Sequence, residues 1–403
     1  MTLLGRLREV VGAPPAPAAR AGREAGAEPI ARALTRLRGA HDRRARADDE
    51  ARLVGTEAPA DLATALPAGA VIPTDVGPAW SVDTRLAAEE RHGAVGIGEA
   101  LTTACDFLET LTGDARLRGF DPRDALYLDI EATGLEHGAG TMAFMIGLGH
   151  HDGAGGFVVR QLVLREPEEE RAMLTLLWEA IHRHPFLVSF NGKSFDLSVL
   201  QARLVMQRFC TRGESEIKLR PHLDLLHLCR ALFKAMWPDV RLQTLERRVL
   251  GFERQDDMPG SLAPLAWFRW LREADARPLA GVARHNFHDV LSMLALTGAV
   301  ARATRPVADA GRRAAEALNL ARLYARRRAP GHALAVLDGM PPLADRGERI
   351  AAHELGATCA RRVKDHAARV AHLEAWVALD PDDERARAAL VRAGRVAQTR
   401  RRA

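Results

Sequence analysis

The chain has 403 residues, 47% of them hydrophobic and 27% charged, so it can bury a large core and has room for two folded units plus tails. Its four cysteines, Cys105, Cys210, Cys229 and Cys359, form no CxxC pair and no His/Cys cluster of zinc spacing, which excludes a disulfide-stapled module and leads us to expect thiols in the cytoplasm. No run approaches the roughly 18 apolar residues of a membrane span, and the first residues, MTLLGRLREVVGAPPAP, lack an adequate signal-peptide core, so no membrane association is expected.

The net charge of +5 divides unevenly. Residues 1–60 sum to +3, 61–300 to −7 and 301–403 to +9. An acidic middle region needs cations to handle a phosphodiester, whereas the basic C-terminal part attracts a polyanion by itself.

Residues 1–60 mix Pro, Ala and alternating charge, which predicts a largely disordered segment with a short helix near Ile30–Leu37. Residues 61–120 read as an apolar lead-in with a helical stretch near Gly98–Leu111. From Ala125 the pattern turns to strands: LYLDIE, TMAFMIGLGH and FVVRQLVL, the last two separated by HDGAGG, predict a three-stranded meander. Pro167 followed by Glu168, Glu169 and Glu170 predicts a helix start, and FLVSF predicts a short buried strand ending at Asn191-Gly192. A helix is expected from Ser194. The strand and helix order implies a mixed sheet with helices on its faces, residues 121–303 forming that unit.

Beyond Asp224 helices dominate, ending in the long apolar-periodic stretch PLAGVARHNFHDVLSMLALTGAVARAT. Residues 310–403 read as all-helical. Two segments in them align 35 residues apart, matching Leu320-Ala321 to Leu355-Gly356, and resemble tetratricopeptide (TPR) repeats, with Asp380-Pro381 as the closing pair.

Asp129 and Glu131 lie two apart in the first predicted strand, so both side chains point to one face of the sheet. On a central strand two unpaired acids on one face are costly, and a divalent cation between them relieves the cost. Asp196 falls near a helix start, where an Asp is commonly only a cap. Asp289 stands inside an apolar helix with His285 one turn earlier on the same face, as either an ion-pair partner or a proton acceptor.

Together DIEATGL (Asp129 to Leu135), NGKSFD (Asn191 to Asp196) and HNFHD (His285 to Asp289) resemble the motifs of the DEDD exonucleases of the ribonuclease H-like superfamily. GAGTMAF, PHLDLLHLCR, LQTLERRVLGFER, DDMPG and HNFHDVLSM extend the likeness to YprB-type ribonuclease H-like proteins of bacteria, over about residues 85–300. The resemblance implies an α/β fold, with a ribonuclease H-like mixed sheet followed by TPR-like helices, and 3′–5′ exonuclease hydrolysis of nucleic acid, DNA or RNA. It further implies two Mg²⁺ or Mn²⁺ ions held by Asp129, Glu131, Asp196 and Asp289, with His285 as general base. Thr133, Gly134, Leu135, Asn191 and Lys193 are the matching substrate-side positions. The better-known branches place Tyr four or His five residues before the last Asp, whereas here His285 is at four and Arg284 at five, so the base is where the pattern departs.

Other polar and aromatic groups have structural readings. His222 and Asp224 are expected as a strand-end pair holding the fold, and His150, His151 and Asp152 as a hairpin tip. Trp237, Trp267 and Trp270 are expected in packing rather than base stacking. The alternatives to a nuclease are a degenerate domain that binds nucleic acid or recruits a protein partner through its C-terminal helices, and a small-phosphoester hydrolase. The complete acid set argues against the first of these.

Overall fold

The computed structural model describes residues 59–134, 140–210, 216–306 and 313–402. The segment expected to be disordered lies, up to residue 58, outside the described residues, as does Leu135.

The strands are β1 (Gly69–Thr74), β2 (Gly77–Leu86), β3 (Arg91–His92), β4 (Val95–Gly96), β5 (Ala125–Ala132), β6 (Ala143–His151), β7 (Phe157–Val163), β8 (Phe186–Ser189) and β9 (His222–Asp224). Seven of them form one mixed sheet in the order β1-β2-β7-β6-β5-β8-β9, and β3 pairs with β4 in a separate ribbon. β5, β6 and β7 form the expected antiparallel meander, while β8 and β9 run parallel to β5.

The principal helices are α1 (Ile97–Thr102), α2 (Leu108–Thr112), α3 (Glu170–Arg183), α4 (Asp196–Met206), α5 (Leu225–Phe233), α6 (Ala263–Glu273), α7 (Arg277–Ala303), α8 (Ala314–Arg326), α9 (Pro330–Asp338), α10 (Arg346–Val363), α11 (His366–Leu379) and α12 (Glu384–Arg402).

The lead-in does more than its sequence suggests. Its residues supply β1 and β2, which extend the sheet by antiparallel pairing of β2 on β7, from Trp80 opposite Val163 to Leu86 opposite Phe157. Alternation is faint here because β1 is an edge strand with a largely exposed pattern and carries Pro73, which only an edge accommodates readily. The helical stretch expected near 98–111 is two short helices, α1 and α2.

Alternate side chains of β5 divide between two cores. Ala125 and Tyr127 join one with Val188, Leu223 and the later turns of α7; Leu126, Leu128 and Ile130 join the other with Leu177, Leu200 and Trp267. α7, 27 residues and about 40 Å long, feeds both: Leu279, Val282 and Ala283 enter the second core and Val290 to Ala301 the first. The stretch between, His285 to Asp289, passes the sheet.

The first core continues without a break into α8, α9 and α10 through Leu318, Leu320, Tyr324, Val336 and Cys359. Asn319 Nδ2 donates to the Leu232 carbonyl at 3.0 Å, and Arg327 Nε to the Leu111 carbonyl at 2.9 Å. The helices behind the sheet unit are thus fastened to it, while α11 and α12 form a smaller cluster around Leu373 and Trp376. At Gly356 a Cβ would meet the His372 ring at 2.5 Å, so α10 and α11 cross closely at the small residue singled out in the repeat alignment.

The tryptophans pack: Trp267 stacks on Phe144 and donates to the Leu164 carbonyl at 2.8 Å, Trp237 stacks on Phe233, and Trp270 donates to the Arg165 carbonyl at 2.9 Å. Asp152 caps its hairpin by accepting from the Ala154 and Gly156 amides. None of the four cysteines forms a disulfide, and no helix among the described residues is long and apolar enough to cross a membrane.

Candidate active site

Asp129 and Glu131 continue the face of β5 that carries Ala125 and Tyr127. Opposite Asp129 on β6 stands Gly147, where a Cβ would lie 2.4 Å from Asn286 Oδ1 and 2.7 Å from Val290 Cγ2. Only a glycine admits α7 this close. Through that gap Asn286, fully buried, donates from Nδ2 to Asp129 Oδ2 at 2.9 Å. Its Oδ1 accepts from Gln161 Nε2 at 2.8 Å, so the amide can present only its donor side to Asp129.

Asp196 opens α4 from a loop built for it. Asn191 takes a left-handed backbone, φ 69°, which Asn tolerates better than most residues. A Cβ on Gly192 would meet Ser189 Oγ at 2.4 Å and Asp196 Oδ2 at 3.3 Å. Asp224 pins the loop by accepting from the amides of Asn191 at 2.8 Å and Lys193 at 3.1 Å, and it caps α5 through Leu226. His222 and Ser189 pair at 2.8 Å beneath. Asp196, buried, accepts from the Ile130 amide at 3.2 Å and so sits between the two acids of β5.

From α7 come His285 and Asp289. A carboxylate oxygen of Glu131, one of Asp289 and a ring nitrogen of His285 all lie within 4.8 Å of one another, a group that does not include Asp129 or Asp196. His285 Nδ1 is 2.8 Å from Asp257 Oδ1 and its Nε2 is 3.5 Å from Asp289 Oδ2. Arg254, 4% exposed, donates to both oxygens of Glu246 at 2.6 and 2.8 Å, to Asp289, and lies 3.5 Å from Asp257. Glu246 stands in a wide π-type turn, Glu246–Leu250, and also accepts from Ser292, whose hydroxyl is 2.7 Å from His92 Nε2.

The electrostatics follow from this crowding. Burial, then the charges of Asp289, Asp196 and Glu131, push the Asp129 carboxyl well above the usual carboxylate range. Glu131 is pushed the same way by burial, Asp289, Asp196 and Asp257, against the pull of Arg254. Burial lifts Asp196 to about 7, with amide donors opposing and Asp224 and Asp289 adding to the rise. Such a set of acids holds protons unless cations replace them.

Asp129 and Asp289 open on a cleft of about 590 Å³, lined also by Phe190, Asn191, Arg230, Lys234 and Arg241. Of the remaining positions singled out in sequence, Thr133 accepts from the Met142 amide at 3.0 Å and ties the end of β5 to its neighbour strand. Gly134 stands beside Thr141, and Lys193 is exposed next to the Asp196 loop.

Residues 126–301, from β5 to the end of α7, match the family model RNase_H_2, described as RNase_H superfamily. That stretch is similar to the ribonuclease H-like domains, and its mixed sheet flanked by helices agrees with their fold. Over 181 residues the chain is 33% identical to the uncharacterized protein YprB of Bacillus subtilis (strain 168). The match spans 44% of this chain and 42% of that relative.

Arg254, Asp257, Glu246, Asn286, Gln161 and Gly147 take no assigned place in the sequence reading. The signal existed for some of them: Arg254 and Asp257 fall in the FER and DDMPG stretches that carry the resemblance, and Asn286 lies within HNFHD.

Proposed function

We propose that the protein is a metal-dependent nuclease, a DEDD-type 3′–5′ exonuclease acting on DNA or RNA. The observation that carries the proposal is the gathering of four carboxylates from β5, α4 and α7, two of which, Asp129 and Asp289, line a cleft that also carries Arg230, Lys234 and Arg241. Asp129, Glu131, Asp196 and Asp289 would hold the divalent cations, two Mg²⁺ or Mn²⁺ ions; the raised proton affinity of Asp129, Glu131 and Asp196, together with the oxygen donors of all four, fits that role. The chemistry that such ions supply when bound is Lewis-acid polarisation of a phosphoryl oxygen and a lowered pKa of water.

The chain's own residues do the rest. Asn286 fixes one oxygen of Asp129, leaving the other free toward the cleft. Asp257, 2.8 Å from His285 Nδ1, orients the ring so that Nε2 faces Asp289, where it would take a proton from an attacking water. Asp224 holds the Asp196 loop in register.

The test is metal-dependent release of mononucleotides from end-labelled single-stranded DNA, duplex DNA and RNA. Asp129→Asn and Asp289→Asn are expected to abolish release with the fold intact, and loss of a 3′ label is expected to precede loss of a 5′ label. Full activity of Asp129→Asn in Mg²⁺ would overturn the reading.

A further inference from the structure

The ribbon of β3 and β4 stands apart from the seven-stranded sheet and precedes the stretch that matches the family model, residues 126–301. Its turn is nevertheless fitted to the turn Glu246–Leu250 behind the acids. Gly93 takes a left-handed backbone, φ 60°, and a Cβ there would lie 2.2 Å from the Leu250 carbonyl oxygen, so only a glycine allows the approach. The next residue, Ala94, donates its amide to that same carbonyl at 2.6 Å. This docking carries the His92 ring inward, its centroid 4.0 Å from that of Phe252 and its Nε2 2.7 Å from Ser292 Oγ. His92, Ser292 and Glu246 are all buried.

Donor and acceptor roles are fixed along this line. Glu246 accepts at Oε1 from the Ser292 hydroxyl and from Arg254 Nη2, and at Oε2 from Arg254 Nε. A serine hydroxyl has one proton, so once it is given to Glu246, Oγ can only accept from His92, which must carry its proton on Nε2. Burial, then the charges of His288 and Arg254, hold the imidazole down at about 3, so the ring is neutral and has one N–H to give. Without that N–H the hydroxyl is free to turn to the carbonyl one turn back along α7, a common partner of a serine inside a helix. Glu246 would then draw on Arg254 alone, and Arg254 Nη2 is the nitrogen that also donates to Asp289.

We propose that His92 is a positioning residue for the acid site: its Nε2–H aims the Ser292 hydroxyl at Glu246, and Glu246, so satisfied, leaves Arg254 Nη2 to hold Asp289 in place. The inference rests on the nuclease reading for what Asp289 does, and it extends the site to a ribbon that precedes the matched stretch. Asp289 and Ser292 stand three apart on α7 and so share one side of it, which lets a single Arg254–Glu246 pair serve both.

The experiment uses the full chain. In the metal-free state, proton–nitrogen correlation spectra with isotope-labelled histidine are expected to place the His92 proton on Nε2. Titration calorimetry with Mn²⁺ then compares the parent chain with His92→Leu, Ser292→Ala, the two together, and His92→Gln. His92→Leu removes the donor and Ser292→Ala removes its acceptor with little change of volume, and each is expected to weaken Mn²⁺ binding about tenfold or more and to lower kcat. The double variant is expected to fall within about twofold of either single one, because both break the same line. His92→Gln, which can place an amide N–H where Nε2–H stood, is expected to stay within about threefold of the parent chain.

A purely structural His92 would lower stability in urea while leaving Mn²⁺ affinity and kcat at parent values in the folded Ser292→Ala chain, and that result would overturn the proposal. So would a His92 proton on Nδ1, multiplying losses in the double variant, or a His92→Gln chain no better than His92→Leu. Failure of the nuclease reading is seen separately, in a parent chain that neither binds Mn²⁺ nor hydrolyses oligonucleotides, and it would take this inference down with it.

Discussion

Arg254 donates to Asp289 while gripping both oxygens of Glu246, so one buried guanidinium ties an acid of the site to an acid of the turn behind it. Arg254→Met would leave Glu246, 1% exposed, without its cation. We expect a loss of about 3–5 kcal/mol in denaturant unfolding, the range for breaking one side of a buried pair. Arg254→Met with Glu246→Gln should recover a substantial part of that loss. Equal stability of the single variant and the parent chain would mean that the pair is not closed in solution.

Gly147 is the second lever. Alanine there would put a methyl 2.4 Å from Asn286 Oδ1, and the crowding should cost about 1–3 kcal/mol. Because Asn286 must move, hydrolysis should fall more than stability accounts for, as a lower kcat in assays held well below the melting temperature. Asn286→Leu should reproduce the kinetic loss. Normal kcat in both variants would remove the amide from any part in placing Asp129.

His285→Ala is expected to slow turnover by roughly 10²- to 10⁴-fold with metal affinity nearly unchanged if the ring acts only as base. Titration calorimetry with Mn²⁺ on the same variant reads the other possibility directly. A weakening of Mn²⁺ binding by tenfold or more would show the ring nitrogen to be a ligand, consistent with its place within 4.8 Å of the acid oxygens.

Burial, reinforced by Lys193 and Arg116, depresses the His222 imidazole to about 3. Its folded value lies below its unfolded value of about 6.5, so the unfolded chain binds the extra proton first. The stability this group contributes is fully present above pH 6.5 and is lost as pH falls toward 3, by up to about 1.4 kcal/mol per pH unit. The stability difference between the parent chain and His222→Gln should therefore narrow from pH 7 to pH 4 in urea titrations. A difference that stays constant would show that His222 is not neutral and buried.

Removing the chain from residue 310 onward strips α8, α9 and α10 from a core they share with α5 and α7. That truncation should lower the melting temperature sharply or yield aggregate. Removing only residues 365–403, which takes α11 and α12 and uncovers Ile350 and Ala357 of α10, should lower the melting temperature less than the longer truncation does. The salt dependence of binding in this shorter chain then reports whether α11 and α12 touch nucleic acid.

The mixed sheet and its meander were legible because strands such as LYLDIE and FVVRQLVL are apolar on both faces and bounded by strong turns. The hairpin of β1 and β2 was not, since an edge strand with Pro73 and exposed Val71 carries little periodicity. For the site, acids two apart on a strand and a His one turn before an Asp are local patterns that sequence displays. Arg254 lies 35 positions from Asp289, and Asp224 about 30 from the loop it pins. Partnerships at such separations are created by the fold and have no signature in spacing.

α7 carries Asp289 at its middle, with turns anchored in one core before it and in the other after it. Amide hydrogens around Asp289 should therefore exchange only through global opening, since neither half of the helix can fray without exposing its own core. Asp196, in the first turn of α4, is held by a core as well, through Leu197, Val199, Leu200 and Leu204. Both sides of the site are thus tied to a core, and equally slow deuterium uptake at Asp196 and Asp289 would make entry to the acids depend on the stability of the whole domain.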